Sequence, residues 1–137
     1  MTISEENISE LADLLDCGLI CYYHCPTGSI KAFPENDDPF VDQELWPDSI
    51  DEIEADRGNY LVFKQMGSNE AFRIMEKFGD AVADNRFRDK IFQQLSKRKP
   101  FHHFKNLIDS SVYRQAWFDF KRAAYIEYVK EQVELLD

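Results

Sequence analysis

The sequence predicts an α+β fold: a small antiparallel N-terminal sheet of about three strands, packed against a helical C-terminal half of three to five helices. Two apolar runs joined by a proline–glycine turn, and a third before residue 64, predict the sheet. From Ser68 onward, apolar residues recur at three- and four-residue spacing, which predicts helices. Hydrophobic residues make up 44% and aromatic residues 14% of the 137 positions. A chain of this length and composition can bury a core without disulfides or metals, and residues 1–137 are expected to form a single domain.

Each element has its own signal. Ile8, Leu11, Leu14 and Leu15 share one helical face, and Gly18 ends that helix. Residues 19–24 and 29–33 read as strands joined by Cys25-Pro26-Thr27-Gly28, where proline pre-sets a turn position and glycine relaxes the exit. Residues 34–48 are acidic and proline-punctuated, hence a surface loop, and Asp48 is placed to cap a short helix through Glu54. Tyr60-Leu61-Val62-Phe63 is the third strand. In the helix from Ser68, Ala71, Ile74, Met75, Phe78 and Val82 form the inward stripe. Asp84 caps a helix through Leu95, with Phe87, Ile91 and Leu95 inward. Pro100 suits the first position of the next helix, whose expected buried face is Phe101, Phe104 and Ile108. A final helix spans about 111–136.

Charge bounds the function. The net charge is −10, with fifteen acids and two bases in residues 1–59. Residues 86–106 reverse this, with seven bases against Asp89 alone. The N-terminus lacks a basic region followed by an apolar stretch, the longest apolar run is too short for a membrane helix, and three cysteines fit free thiols. A cytoplasmic protein that does not enter membranes is expected.

Several segments together resemble the bacterial Uncharacterised Protein Family 0158. They are Tyr22-Tyr23 ahead of Thr27-Gly28, Glu70-Ala71-Phe72-Arg73-Ile74-Met75-Glu76-Lys77-Phe78, Phe101-His102-His103-Phe104-Lys105-Asn106 and Trp117-Phe118-Asp119-Phe120. The resemblance covers roughly residues 20 to 130. His102 and His103 stand where the family usually has two arginines, and Asn106 where it has an aspartate. The family name implies no activity, so the resemblance bears on fold more than on function.

No catalytic signature is present: no Gly-x-Ser-x-Gly, phosphate loop or His-Glu-x-x-His. Cys17, Cys21 and Cys25, with His24, invite a zinc reading, but residues four apart on a strand are separated by about 13 Å. One metal cannot hold Cys21 and Cys25 at that distance, and no disulfide can join them. Asp37, Asp38, Asp42 and Glu44 lack the glycine and terminal glutamate of a calcium loop and read as solvated. No metal and no cofactor is expected.

Two contact surfaces remain. Lys97, Arg98 and Lys99 precede a helix start bearing His102 and His103, which combines local positive charge with free backbone donors, as an anion site requires. The final helix carries Tyr113, Trp117, Phe120, Ala124 and Leu135 on one stripe. Phe118, Tyr125, Val129 and Leu136 lie roughly opposite. Such a helix is either enclosed on both sides or offers one side to a partner. The leading expectation is a non-enzymatic protein-interaction or regulatory domain, using Phe118, Tyr125, Val129 and Leu136 toward a protein partner or a second copy. The alternatives are nucleic-acid or phosphorylated small-molecule binding at 97–105, and a cryptic enzyme.

Overall fold

The computed structural model describes residues 3–34 and 47–136, leaving aside the side chains of 47–49 and Leu136. The expected acidic loop, with Asp37, Asp38, Asp42 and Glu44, lies largely outside the described residues. Among those described the order is α1 (Glu5–Asp16), β1 (Leu19–His24), β2 (Ile30–Pro34), α2 (Pro47–Ala55), β3 (Tyr60–Phe63), α3 (Ser68–Ala81), α4 (Asn85–Leu95), α5 (Pro100–Asp109) and α6 (Arg114–Leu136). The fold is α+β, with its antiparallel sheet in the N-terminal part and most helices after it.

The chain divides into two compact units. The first comprises residues 1–65 and 125–137, the second residues 66–124. The division also sorts charge. Residues 66–124 carry twelve bases against seven acids, a net +5, and the remainder carries four bases against nineteen acids, a net −15.

In the first unit the strand order is β2-β1-β3, all neighbours antiparallel. The β1–β2 register pairs Cys21 with Ala32, and the β1–β3 register pairs it with Phe63. Alternation along β1 sends Tyr22 to a cluster with Phe33 and Ile53, flanked by Ile20 and Tyr60. Helix α1 packs against β1 through a stripe that includes the fully buried Leu11 and Leu15. It starts earlier than periodicity alone indicates because the Ser4 side chain accepts from Asn7 N–H at 3.2 Å. The β1–β2 turn closes as expected, with Gly28 at φ +73° and its N–H donating to His24 C=O at 2.7 Å. Helix α2 starts at Pro47, so Asp48 lies inside it and is not its cap; a fixed φ suits proline to a first helical turn.

The second unit is helical. Met75, Phe78, Val82, Ile91, Leu95, Phe104, Ile108 and Trp117 form its core. Trp117 is its hub, meeting Phe104 edge-on at 4.8 Å and Phe78 at 5.3 Å. Asp84 caps α4 as expected, accepting from Arg86 N–H at 3.0 Å. Arg88 reaches back to the end of α3 and donates to Val82 C=O at 2.8 Å and Asp80 C=O at 3.3 Å. Otherwise unpaired helix-end carbonyls are thereby satisfied.

Two packing expectations need correction. Phe101 does not share the interior with Phe104 and Ile108: it is 37% exposed while they are buried. It occupies the first turn of α5. Leu135 is 79% exposed and belongs to no buried stripe. The buried positions of α6 are Trp117, Tyr125, Val129 and Val133. They recur at multiples of four, a spacing that drifts by about 40° per step round a helix of 3.6 residues per turn. Trp117, with Tyr113 and Phe120, packs into the core of the second unit, and Tyr125, Val129 and Val133 are buried in the part of α6 that belongs to the first.

Candidate functional site

Two of the residues expected on the partner face are interior in this structure. Tyr125 is 7% exposed and Val129 is fully buried. Phe118 is 39% exposed, with the Arg114 guanidinium over its ring at 5.0 Å. The Leu136 side chain lies outside the described residues. Of the three described side chains only Phe118 is exposed.

The basic segment is different. Helix α4 stops at Leu95, where Ser96 N–H donates to Phe92 C=O at 3.1 Å and Ser96 Oγ to Gln93 C=O at 2.8 Å. Only residues 96–99 separate it from α5. The chain reverses through Lys99, which sits at φ 55°, ψ 57°; among the described residues it is the only non-glycine with positive φ. A following proline disfavours the right-handed helical region for Lys99, and the left-handed alternative costs about 1–2 kcal/mol without glycine. Lys99 C=O then accepts from His103 N–H at 3.3 Å and starts α5.

Lys97, Arg98, Lys99 and His102 are all exposed, and His103 is half-buried. His102 meets Asn106 one turn on at 3.2 Å and His103 edge-on at 5.6 Å. Lys105 is exposed one turn beyond Phe101. Of the seven cations in residues 86–106, Arg88 is committed to carbonyls, and none of the others has an ion-pair partner among the described residues. The corner therefore combines unneutralised charge, a half-exposed ring and the positive end of a ten-residue helix. Sequence reasoning named Lys97, Arg98, Lys99, His102 and His103 as the candidate anion site and assigned Phe101 to the buried face of α5.

A second constellation escaped sequence reasoning because its members are 32 residues apart. His24 Nε2 lies 2.7 Å from Asp56 Oδ2, and its Nδ1 lies 2.7 Å from Thr27 Oγ1. Asn59 donates to the other Asp56 oxygen at 2.7 Å, and Tyr60 covers the imidazole at 4.7 Å. A hydroxyl–imidazole–carboxylate chain has the connectivity of a nucleophile relay. Here the Thr27 oxygen is also engaged with Ser29, and the N–H groups of Cys25, Gly28 and Ser29 are all spent on other acceptors. None of them can stabilise a developing oxyanion. The arrangement is a clamp holding the hairpin turn to the segment after α2.

The clamp gives a pH prediction. Hydrogen bonds from His24, then from Asn59, hold the Asp56 carboxyl below its ordinary range. Lys31, bonded to Glu52 at 2.8 Å, does the same to Glu52. A depressed carboxyl pKa contributes stability that is present above the unfolded value and lost as pH falls through the folded one. Asp56→Asn is therefore expected to lower the melting temperature near neutrality, with the gap closing as pH falls from the ordinary carboxylate range through the lowered folded-state value. Thermal melts followed by circular dichroism check this; a gap that stays constant into acid contradicts it.

Cys21 is no nucleophile. Burial, with Glu10 nearby, pushes the buried Cys21 thiol up to about 12, which keeps it protonated. Among the described residues no three His, Cys, Asp or Glu side chains are grouped to hold a metal ion. No helix among them is long and apolar enough to cross a membrane.

Comparison with known proteins gives a family. The profile of the Uncharacterised protein family (UPF0158) matches residues 35–135, so the chain belongs to that family. No curated protein and no solved structure matches it.

Proposed function

We propose that this member of the UPF0158 family is a binding protein whose α4–α5 corner recognises a phosphate-bearing polyanion. The observation that carries this reading is the set of exposed cations Lys97, Arg98, Lys99 and Lys105, without carboxylate partners among the described residues, on a unit of net charge +5. Charges that stabilise nothing within the described chain remain free to neutralise a ligand. The left-handed Lys99 adds support, because a lysine there costs conformational energy that glycine would not. The expected protein-docking face is not carried forward, since Tyr125 and Val129 are interior.

A variant combining Lys97→Ala, Arg98→Ala and Lys99→Gly separates binding from folding. It removes three cations and relieves the backbone at position 99, so its melting temperature is expected to match or exceed the parent's. Its affinity for inorganic polyphosphate at low ionic strength is expected to fall at least about tenfold. Titration calorimetry on both proteins decides the matter: no binding by the parent, or equal binding by the variant, removes the reading.

A further inference from the structure

We infer that the ligand of the α4–α5 corner is a single-stranded nucleic acid, an inference that rests on the polyanion reading above. The added observation is Phe101. The residue is 37% exposed, although α5 places it on the same side as the buried Phe104 and Ile108. Lys97, Arg98 and Lys99 precede it, separated by Pro100, and Lys105 is its neighbour four residues on, a spacing that puts two side chains side by side on a helix. An inorganic phosphate chain has no use for a ring among cations. A nucleic-acid strand does, because flat bases alternate with charged phosphates along it and can stack on an aromatic face.

Strandedness follows from the same geometry. In a duplex the bases stack on one another and turn only their edges outward, so a single exposed ring finds no base face along it. An unpaired strand presents such faces freely. The cations are confined to a four-residue connection and the first turns of α5, which suits a few consecutive phosphates.

Three labelled probes test this by fluorescence anisotropy on the full chain: a mixed-sequence 12-nucleotide single strand, its duplex, and a 12-unit abasic strand with the same backbone. The intact single strand is expected to bind roughly five- to a hundredfold tighter than the abasic strand. Phe101→Ala is expected to erase that preference while leaving abasic and polyphosphate affinities unchanged. Phe101→Leu, which keeps apolar volume without a ring, is expected to behave like Phe101→Ala and guards against an effect of misfolding. Equal binding of intact and abasic strands overturns the nucleic-acid inference and leaves the polyanion reading standing. Duplex binding as tight as single-strand binding overturns it as well. Failure of every probe, polyphosphate included, removes both.

Discussion

Val129→Asp is expected to destabilise this protein by about 3–5 kcal/mol, whereas Phe118→Asp should leave stability within about 1 kcal/mol of the parent. Val129 is fully buried and Phe118 is 39% exposed, although sequence spacing puts both on one apolar stripe. An aspartate at 129 must either lose its hydration or neutralise, and the structure places it among core positions. At 118 the new carboxylate stays wet and lies beside Arg114, which trades a cation–π contact for an exposed ion pair of similar small worth. Urea titrations of the two variants measure the contrast. Similar stabilities would return the second half of α6 to the surface and revive a docking face there.

Phe104→Ala is the second large effect, with an expected loss of about 3–5 kcal/mol. Phe104 is 1% exposed and meets Trp117 edge-on at 4.8 Å. Truncation therefore removes both buried apolar area and an aromatic pairing, and it leaves a cavity that the helices around Trp117 close only in part. Against a typical total of roughly 5–15 kcal/mol, such a loss shifts the urea midpoint strongly. A shift no larger than that of Phe101→Ala would mean that α5 does not bury the residue the structure says it buries.

These two pairs also mark where the sequence was legible and where it was not. Local chemistry spoke clearly: Asp84 caps α4, Pro100 opens α5, and Gly28 takes positive φ in the hairpin turn. Each of these depends on a few adjacent residues. The errors concern how far packing extends along a correctly placed helix. Phe101 has the phase of the buried face but lies in the first turn of α5, where it is 37% exposed. In α6 the residues Trp117 and Tyr125 belong to successive compact units, and no single face is apolar throughout. A periodicity argument assumes one core on one side, so a helix serving two units in turn reads as two-sided. The His24–Asp56 clamp was invisible for a third reason. Long-range polar pairing leaves no periodic trace.

The charge pattern was the most transferable signal. The excess of bases in residues 86–106 lies within the helical unit, and four of the cations at the corner have no partner among the described residues. A lysine held in the left-handed region between two helices and a ring left half outside the core make this corner locally inconsistent with folding alone. Departures of that kind concentrate at functional sites.

The salt dependence of single-strand binding tests the central claim most directly. With Lys97, Arg98, Lys99 and Lys105 each neutralising a phosphate, log K should fall against log salt with a slope of about −3, dropping to about −1 in the variant lacking the first three. A slope near zero in the parent, or one unchanged by the substitutions, contradicts a phosphate-binding corner.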